Sequence, residues 1–492
     1  MNINDYEARQ IIPRWYPFEM ALYLGEVLPN SKPVNYRNKF TSYLEKEIDW
    51  MRNIKTLSSA LDFVGTALVV NDFNNDNAVK ASEFILDNEK KISSLAIQLA
   101  KRYVNEEKKI SNFSLSDDNN CRNNIVRIKA ALKMYPYNSI AWADMAYYYA
   151  VLGQNAKSDK CMFIAVNYSP DNRYILRSAA RLYLHLHDPE KALYYLRKSE
   201  NTRYDPWLLS SEISISEAFD IKTKNIKTAK YFLTKVDDLP SKDLAELFGT
   251  IATLEAKSGA NNKAKKLFKN ALIDPNENTV AQAFWMSPQI GLHVDLSNKA
   301  EASFEADGRY YFSIGNYKDA LESTIKWLKF QPFCSHPVIS ASYISGVCLN
   351  DYNRSIQIIK DYGNHFIEKD FFVKNNYIFS LASLGRISEA EKLLDSINIG
   401  SLQNNEKATL LATEGLIKYR KNLIDEGRKL YEDAIENFKI LKDEKRTVLA
   451  SYFLSREEKR IGNDNILLSE KISKSAKRLG LNELIPKSNI KE

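Results

Sequence analysis

Histidine and cysteine carry much of the acid–base, nucleophilic and metal chemistry in proteins, and this 492-residue chain has only five histidines and four cysteines. His185 and His187 are two residues apart, so on a helix they point to different sides and cannot share a metal. Cys334 and His336 stand close together without a third ligand or a further base. Cys334 therefore has two interpretations, an ordinary thiol in a loop and a catalytic nucleophile. The sequence predicts no metal site and no cofactor.

The motifs that mark common enzymes are also missing. The sequence contains no G-x-x-x-x-G-K-[ST], no G-x-G-x-x-G, no H-E-x-x-H and no G-x-S-x-G. Residues 1–104 have neither histidine nor cysteine, which removes much of the usual catalytic repertoire from the N-terminal region. We therefore expect a non-enzymatic protein, with an enzyme that has an unrecognised N-terminal catalytic region as an alternative.

Composition favours helices. Apolar residues make up 44% and charged residues 27%, which is enough apolar surface to exclude disorder of the whole chain. The 16 glycines and 14 prolines are few for this length, which disfavours sandwiches and barrels. A net charge of +7 is small for this chain and disfavours nucleic acid as a partner.

Cysteine usage and apolar runs bear on the compartment. No C-x-x-C pair occurs, which is typical of a reduced cytoplasmic protein. No signal peptide is evident, and the longest largely apolar run, 63–70, is far shorter than the roughly 20 residues of a membrane helix. We expect a cytoplasmic protein without a membrane segment.

A period of about 34 residues is the main organising feature. In the unit from 139 to 172, Trp142, Ala146 and Tyr149 occupy positions 4, 8 and 11, and Pro170 occupies position 32. The small residue of position 20 recurs at intervals of 34, 37, 35, 56, 35, 35 and 37 residues. It is found at Ser158, Ala192, Ala229, Ala264, Ala320, Ser355, Ala390 and Gly427. Small residues at positions 8 and 20 predict two antiparallel helices in close approach, and the long interval predicts an irregular hairpin around 276–300.

These positions resemble those of the tetratricopeptide repeat family over about two thirds of the chain. The resemblance implies an all-α fold, an α-solenoid of helical hairpins over 105–440. A helical N-terminal region, 1–104, precedes the array, and capping helices with a frayed tail, 441–492, follow it. Apolar spacing within the N-terminal region predicts one long helix, about 38–70. Residues 106–122 are the best linker candidate.

In this family the first helix of each hairpin lines a concave groove through unit positions 2, 5, 9 and 12. Carried over, these positions implicate Tyr147, Tyr174, Arg177, Arg181, Arg309, Phe312, Asn375, Phe379 and Tyr419. Arg177 and Arg181 lie four residues apart, on one helical face, and together predict a site for a carboxylate of a peptide. The alternative is that these arginines pair with neighbouring acids and that the tyrosines pack between hairpins. Family members that bind chaperone tails use lysine and asparagine at these two positions, so the resemblance does not extend to that ligand.

The run 13–18, PRWYPF, is dense in aromatic residues. Arg14, Trp15, Tyr16 and Phe18 are predicted either to contact a partner or to belong to an extended segment docked on the solenoid. The alternative is a hydrophobic plug that covers the end of the first helices.

Taken together, the sequence predicts a scaffold or adaptor that binds a peptide or partner protein in its groove. A sensor or scaffold subunit of a bacterial defence or signalling system would fit this class. A peptide- or ligand-gated regulator is a second hypothesis, and homo-oligomerisation is left open.

Overall fold

The structure is a computed structural model. It describes residues 10–24, 46–48, 50–51, 56–69, 75–88, 97, 100–101, 103–104, 118–234, 239, 241–296 and 300–485. Within these ranges all regular secondary structure is helical, so the predicted all-α class is confirmed. The predicted frayed tail and most of the predicted linker lie outside them.

The chain divides into two compact units, which we call the N-unit, Glu7–Ser303, and the C-unit, Phe304–Glu492. The helices of the N-unit are α1 Phe18–Tyr23, α2 Leu57–Val69, α3 Asp76–Asp87, α4 Asp118–Met134, α5 Ser139–Val151, α6 Asn155–Tyr168, α7 Arg173–His185, α8 Pro189–Lys198, α9 Pro206–Ala218, α10 Ile226–Phe232, α11 Ser241–Lys257, α12 Asn261–Ala271 and α13 Glu277–Ile290. The helices of the C-unit are α14 Phe304–Ser313, α15 Tyr317–Phe330, α16 Ser335–Tyr343, α17 Tyr352–Tyr362, α18 Phe371–Ser383, α19 Ile387–Asp395, α20 Asn404–Arg420, α21 Ile424–Ile440, α22 Glu444–Arg460 and α23 Ile466–Leu479. A π-helical turn, Ile344–Cys348, extends α16.

Consecutive helices pack as antiparallel hairpins, and the small residues of the repeat lie where the two helices cross. Ser158 Oγ donates a hydrogen bond to the Ala146 carbonyl oxygen at 2.7 Å, which joins positions 20 and 8 of one unit. In the C-unit, a Cβ added to Gly415 would lie 3.0 Å from the Gly427 carbonyl oxygen. Because these contacts leave no room for larger side chains, the predicted close approach at positions 8 and 20 is confirmed.

Local chemistry starts and ends the helices at regular places. Asparagine or aspartate side chains accept hydrogen bonds from the first free N–H groups of α5, α7, α9 and α13. These caps are Asn138, Asn172, Asp205 and Asn276. The turn inside most hairpins holds one residue in the left-handed region, often glycine, which adopts it without a steric penalty. Examples are Gly153, Gly259, Gly315 and Gly385.

Two predictions about irregular regions have different outcomes. The single helix over 38–70 is wrong, because Thr56 is not helical and its Oγ1 accepts the Ser59 N–H at 3.1 Å, so that a new helix begins at Leu57. The irregular hairpin around 276–300 is confirmed. Helix α13 ends at Gly291, which has a φ of 64°, and residues 292–296 that follow are not helical.

Candidate functional site

The first helices of the N-unit hairpins, α5, α7, α9, α11 and α13, form a face that we call the N-face. Residues 10–24 of the same chain, the docked segment, lie against this face. Ile11 is fully buried, and a Cβ added to Gly249 of α11 would overlap its Cδ1. The glycine therefore lets the docked segment approach the helix backbone closely.

Side chains of four first helices hydrogen-bond to the backbone of the docked segment. Asn278 Nδ2 donates to the Ile12 carbonyl oxygen at 2.9 Å, the Tyr174 hydroxyl to that of Tyr16 at 2.8 Å, Lys242 Nζ to that of Leu24 at 2.7 Å, and the Phe18 N–H donates to Asp144 Oδ1 at 2.8 Å. Two of these bonds reach the non-helical residues Ile12 and Tyr16, and the other two reach the ends of helix α1. Bonds to the backbone hold the segment whatever its side chains are.

Two aromatic side chains of the docked segment pack against tyrosines of the N-face. Trp15 is 1% exposed and meets Tyr147 edge-on, with ring centroids 5.3 Å apart. Phe18 meets Tyr174 in the same way, also at 5.3 Å. Burial raises the pKa of both tyrosines well above the usual value. The structure thus brings Trp15 and Phe18 together with two of the predicted groove residues.

Glu277 of α13 anchors the middle of the docked segment. It accepts a short hydrogen bond from the Tyr16 hydroxyl and lies 3.5 Å from Arg14 Nε. Desolvation raises the pKa of this buried carboxyl, against the opposing effect of Arg14 and Tyr16. All four predicted residues of the PRWYPF run therefore contact the N-face of their own chain, and their predicted contact with a partner stays a prediction.

Arg177 lies beneath the N-face in a buried ion pair. Its two terminal nitrogens donate to the carboxylate of Glu246, at 2.7 and 3.2 Å, and its guanidinium lies 4.6 Å from the centre of the Trp207 ring. Glu246 also accepts from Asn276 and from Asn278, the residue that bonds to Ile12. The carboxylate that Arg177 holds here is thus one of the chain's own.

Arg181, one turn further along α7, is half-buried. A site for a peptide carboxylate formed by Arg177 and Arg181 together stays a prediction.

Three of the predicted groove residues of the C-unit are buried within it. Arg309 is 1% exposed and pairs with Glu305 at 3.1 Å, one turn away on α14. Phe312 packs against Tyr317, and the Tyr419 hydroxyl donates to Glu458. These side chains stabilise the unit, and their predicted contact with a partner stays a prediction.

Asn375 and Phe379, the other two, lie at a cavity of about 80 Å³ among first helices α16, α18, α20 and α22. Asn375 Oδ1 accepts a hydrogen bond from Thr413 Oγ1 at 2.8 Å, and Phe379 packs edge-on against Phe453 at 5.1 Å. Arg446 of α22 also lines this cavity. Asn375 and Phe379 are thus predicted groove residues that line a cavity.

Sequence reasoning missed the polar residues that hold the docked segment, namely Asp144, Glu246, Glu277 and Asn278. One signal was available for Glu246, which stands inside the otherwise apolar run Leu244–Gly249 of a helix. A carboxylate in such a run requires a buried partner.

The described residues give no support to a metal site, since no group of three or more potential ligands occurs among them. Cys334 Sγ lies 3.4 Å from His336 Nδ1 at the start of α16, and this cysteine is buried. Among the helices that the structure describes, none has the length and apolar character needed to cross a membrane.

Comparisons with known proteins give similarity in structure only. No protein-family model and no curated protein matches the chain. Among solved structures, the Cut9–Hcn1 hetero-tetramer of APC/C is 11% identical, with 91% of this chain and 90% of that chain covered and a TM-score of 0.38. Yeast Tom70 is 15% identical, with 87% and 94% covered and a TM-score of 0.29. The human IFIT1 dimer with PPP-AAAA is 15% identical, with 75% and 96% covered and a TM-score of 0.35.

These TM-scores are below 0.5, and the chain's own hairpins define its fold. The chain folds as tetratricopeptide-like helical hairpins. The repeat length of 34 to 37 residues and the contacts between positions 8 and 20 carry that statement.

Proposed function

We propose that the protein is a repeat scaffold whose N-face recognises an extended, aromatic-rich segment of a protein. The observation that carries this proposal is the docked segment itself. Four first helices bond to its backbone, and its Trp15 and Tyr16 side chains are buried against the N-face. A surface that holds one extended chain in this way is suited to hold another of similar sequence.

The docked segment indicates the chemistry of such a partner. Its core, Pro13–Phe18, combines two prolines, which keep the backbone extended, with three aromatic rings and one arginine. Glu277 faces the arginine, and Asp144 accepts from the backbone of Phe18. A partner segment would therefore carry a cation and large rings at the same spacing.

The test uses the full chain with Trp15→Ala, Tyr16→Ala and Phe18→Ala combined, and a fluorescent peptide of residues 10–24. We expect the peptide to bind the variant at least about ten-fold more tightly than it binds the unmodified chain. The reason is that a tethered segment competes at an effective concentration near the millimolar range. Fluorescence anisotropy measures both affinities.

Two controls make the result specific. A chain with Tyr194→Ala, Tyr204→Ala and Phe219→Ala removes three exposed aromatic side chains and should behave like the unmodified chain. A peptide in which Trp15, Tyr16 and Phe18 are alanine should not bind. Equal binding of both peptides, or no binding to a variant of unchanged helicity, would contradict the proposal.

A peptide-gated regulator is the second candidate, because the docked segment occupies the same surface that a partner would use. In that case a partner must displace residues 10–24. Hydrogen exchange of these residues would rise on addition of partner, whereas a scaffold that binds elsewhere would leave their exchange unchanged. Membership of a bacterial multi-protein system and a cytoplasmic location stay predictions.

A further inference from the structure

The cavity of the C-unit combines apolar walls with one charged group. The apolar side chains in its lining include those of Phe372, Phe379, Phe438, Leu449 and Phe453. Its volume of about 80 Å³ is several times the roughly 10–15 Å³ that one water requires. The space is thus large enough for a short hydrocarbon group and too small for a folded peptide segment.

Within the part of the chain that the structure describes, Arg446 is the only charged residue in the lining, and no carboxylate contributes to it. Its side chain is 8% exposed, and its Nη1 donates to Asp443 Oδ2 at 2.5 Å. Among the described residues, Nη2 is buried and has no hydrogen-bond partner. A buried guanidinium nitrogen without an acceptor is unfavourable, so the site favours an occupant that supplies one.

Polar neutral groups stand on the walls beside the rings. Asn375 bonds to Thr413, and Asn376 Nδ2 donates to Ser342 Oγ at 2.9 Å. Glu483 accepts from the hydroxyl of the lining residue Tyr343 and is not itself part of the lining. Apolar walls with a few fixed polar groups are typical of small-molecule sites.

We propose that this cavity binds a small monocarboxylic acid with a short apolar body. The carboxylate accepts from Arg446, and the hydrocarbon part lies against Phe372, Phe379 and Phe453. This inference concerns the C-unit alone and does not depend on the function proposed for the N-face.

The experiment measures binding of butanoate, hexanoate and benzoate to the full chain by saturation-transfer NMR and calorimetry, at concentrations up to about 10 mM, where a site of millimolar affinity is saturated. Hexanamide and hexanol are the matched neutral probes. We expect at least one acid to bind about ten-fold more tightly than its amide. No detectable acid binding, or equal binding of acid and amide, would overturn the proposal.

Three variants test the location. Arg446→Gln should lower acid affinity about ten-fold, and Arg354→Gln, an exposed arginine of the same unit, should leave it unchanged. Ala412→Leu fills the cavity and keeps the guanidinium, so it should abolish binding even if Arg446→Gln does not fold. Acid binding that survives Ala412→Leu would overturn the assignment, as would binding of N-acetyl-leucine without binding of butanoate, hexanoate or benzoate.

Discussion

The two units use the same hairpin and differ in what lies on their first helices. In the N-unit, the docked segment covers the N-face and turns it into interior, with Ile11, Trp15 and Tyr16 at most 1% exposed. In the C-unit, the corresponding helices enclose a cavity of about 80 Å³. A repeat motif therefore indicates which face of the hairpins can bind, but it does not indicate which other part of the chain covers that face.

The largest expected difference between the units concerns their buried arginines. Arg177→Met leaves Glu246 charged and buried, so we expect a loss of about 3–5 kcal/mol in the stability of the N-unit. Arg446→Met should cost the C-unit about 1 kcal/mol, because Asp443 is 23% exposed and keeps its capping bond to the residue 446 N–H. Hydrogen exchange of the helices in each unit measures both effects, and equal losses would contradict the comparison.

The docked segment itself provides the next test. Trp15→Ala should lower the stability of the N-unit by about 3 kcal/mol, at the lower end for a buried tryptophan, because the segment can undock without unfolding the helices. Phe379 lines the cavity and is only half-buried, so Phe379→Ala should lower the stability of the C-unit by a smaller amount. Faster hydrogen exchange of α7 and α13 in the first variant is the expected signature, and its absence would argue that the segment adds little.

A pair of substitutions to leucine compares the space on the two sets of helices. Gly249→Leu forces Ile11 away from α11 and should cost about 1–3 kcal/mol. Ala412→Leu enters the cavity and should change stability by less than about 1 kcal/mol, in either direction. Hydrogen exchange of α11 and α20, measured at increasing urea concentration, separates the two cases. A larger loss for Ala412→Leu would reverse the comparison.

The smallest effect expected is a pH dependence confined to the N-unit. The pKa of Glu277 is raised in the folded chain, so the folded state binds the proton more tightly than the unfolded state. The contribution of Glu277 to the stability of the folded chain is therefore complete below its ordinary pKa of about 4.5. This stabilisation is lost as the pH rises through the raised pKa of the folded state. Glu277→Gln should remove this dependence in urea unfolding measured across that range. An unmodified chain that gains stability from this residue as pH rises would contradict the sign.

Much of the fold could be predicted because its signals are local. The small residues Ala146 and Ser158 are 12 positions apart, and the hairpin that joins them needs only two helices and a turn. The caps follow from asparagine and aspartate chemistry in the same way. The failure at Thr56 shows the limit of periodicity. Apolar spacing continues through that residue, while its hydroxyl favours a new helix start over helix continuation.

The candidate site was predicted only in part. Tyr147 and Tyr174 were assigned to a groove for a partner, and the structure places them beside Trp15 and Phe18 of the same chain. Their contact with a partner stays a prediction. For Arg177 the sequence left a partner's carboxylate and a neighbouring acid of the chain as alternatives, and in the structure it pairs with Glu246, 69 residues away. Spacing along one helix indicates which side chains share a face, and it carries no information on which acid of another helix will meet them.

The sequence by itself determined the helical class, the repeat length and the contacts inside each hairpin, because these depend on residues within about 34 positions of one another. Only the tertiary structure decided that residues 10–24 lie on the N-face, that Arg177 pairs with Glu246, and that a cavity beside Arg446 remains in the C-unit. The physical reason is that these features arise from the stacking of several hairpins. Small rotations at each hairpin contact add up, and their sum decides which distant side chains meet and where space is left between them.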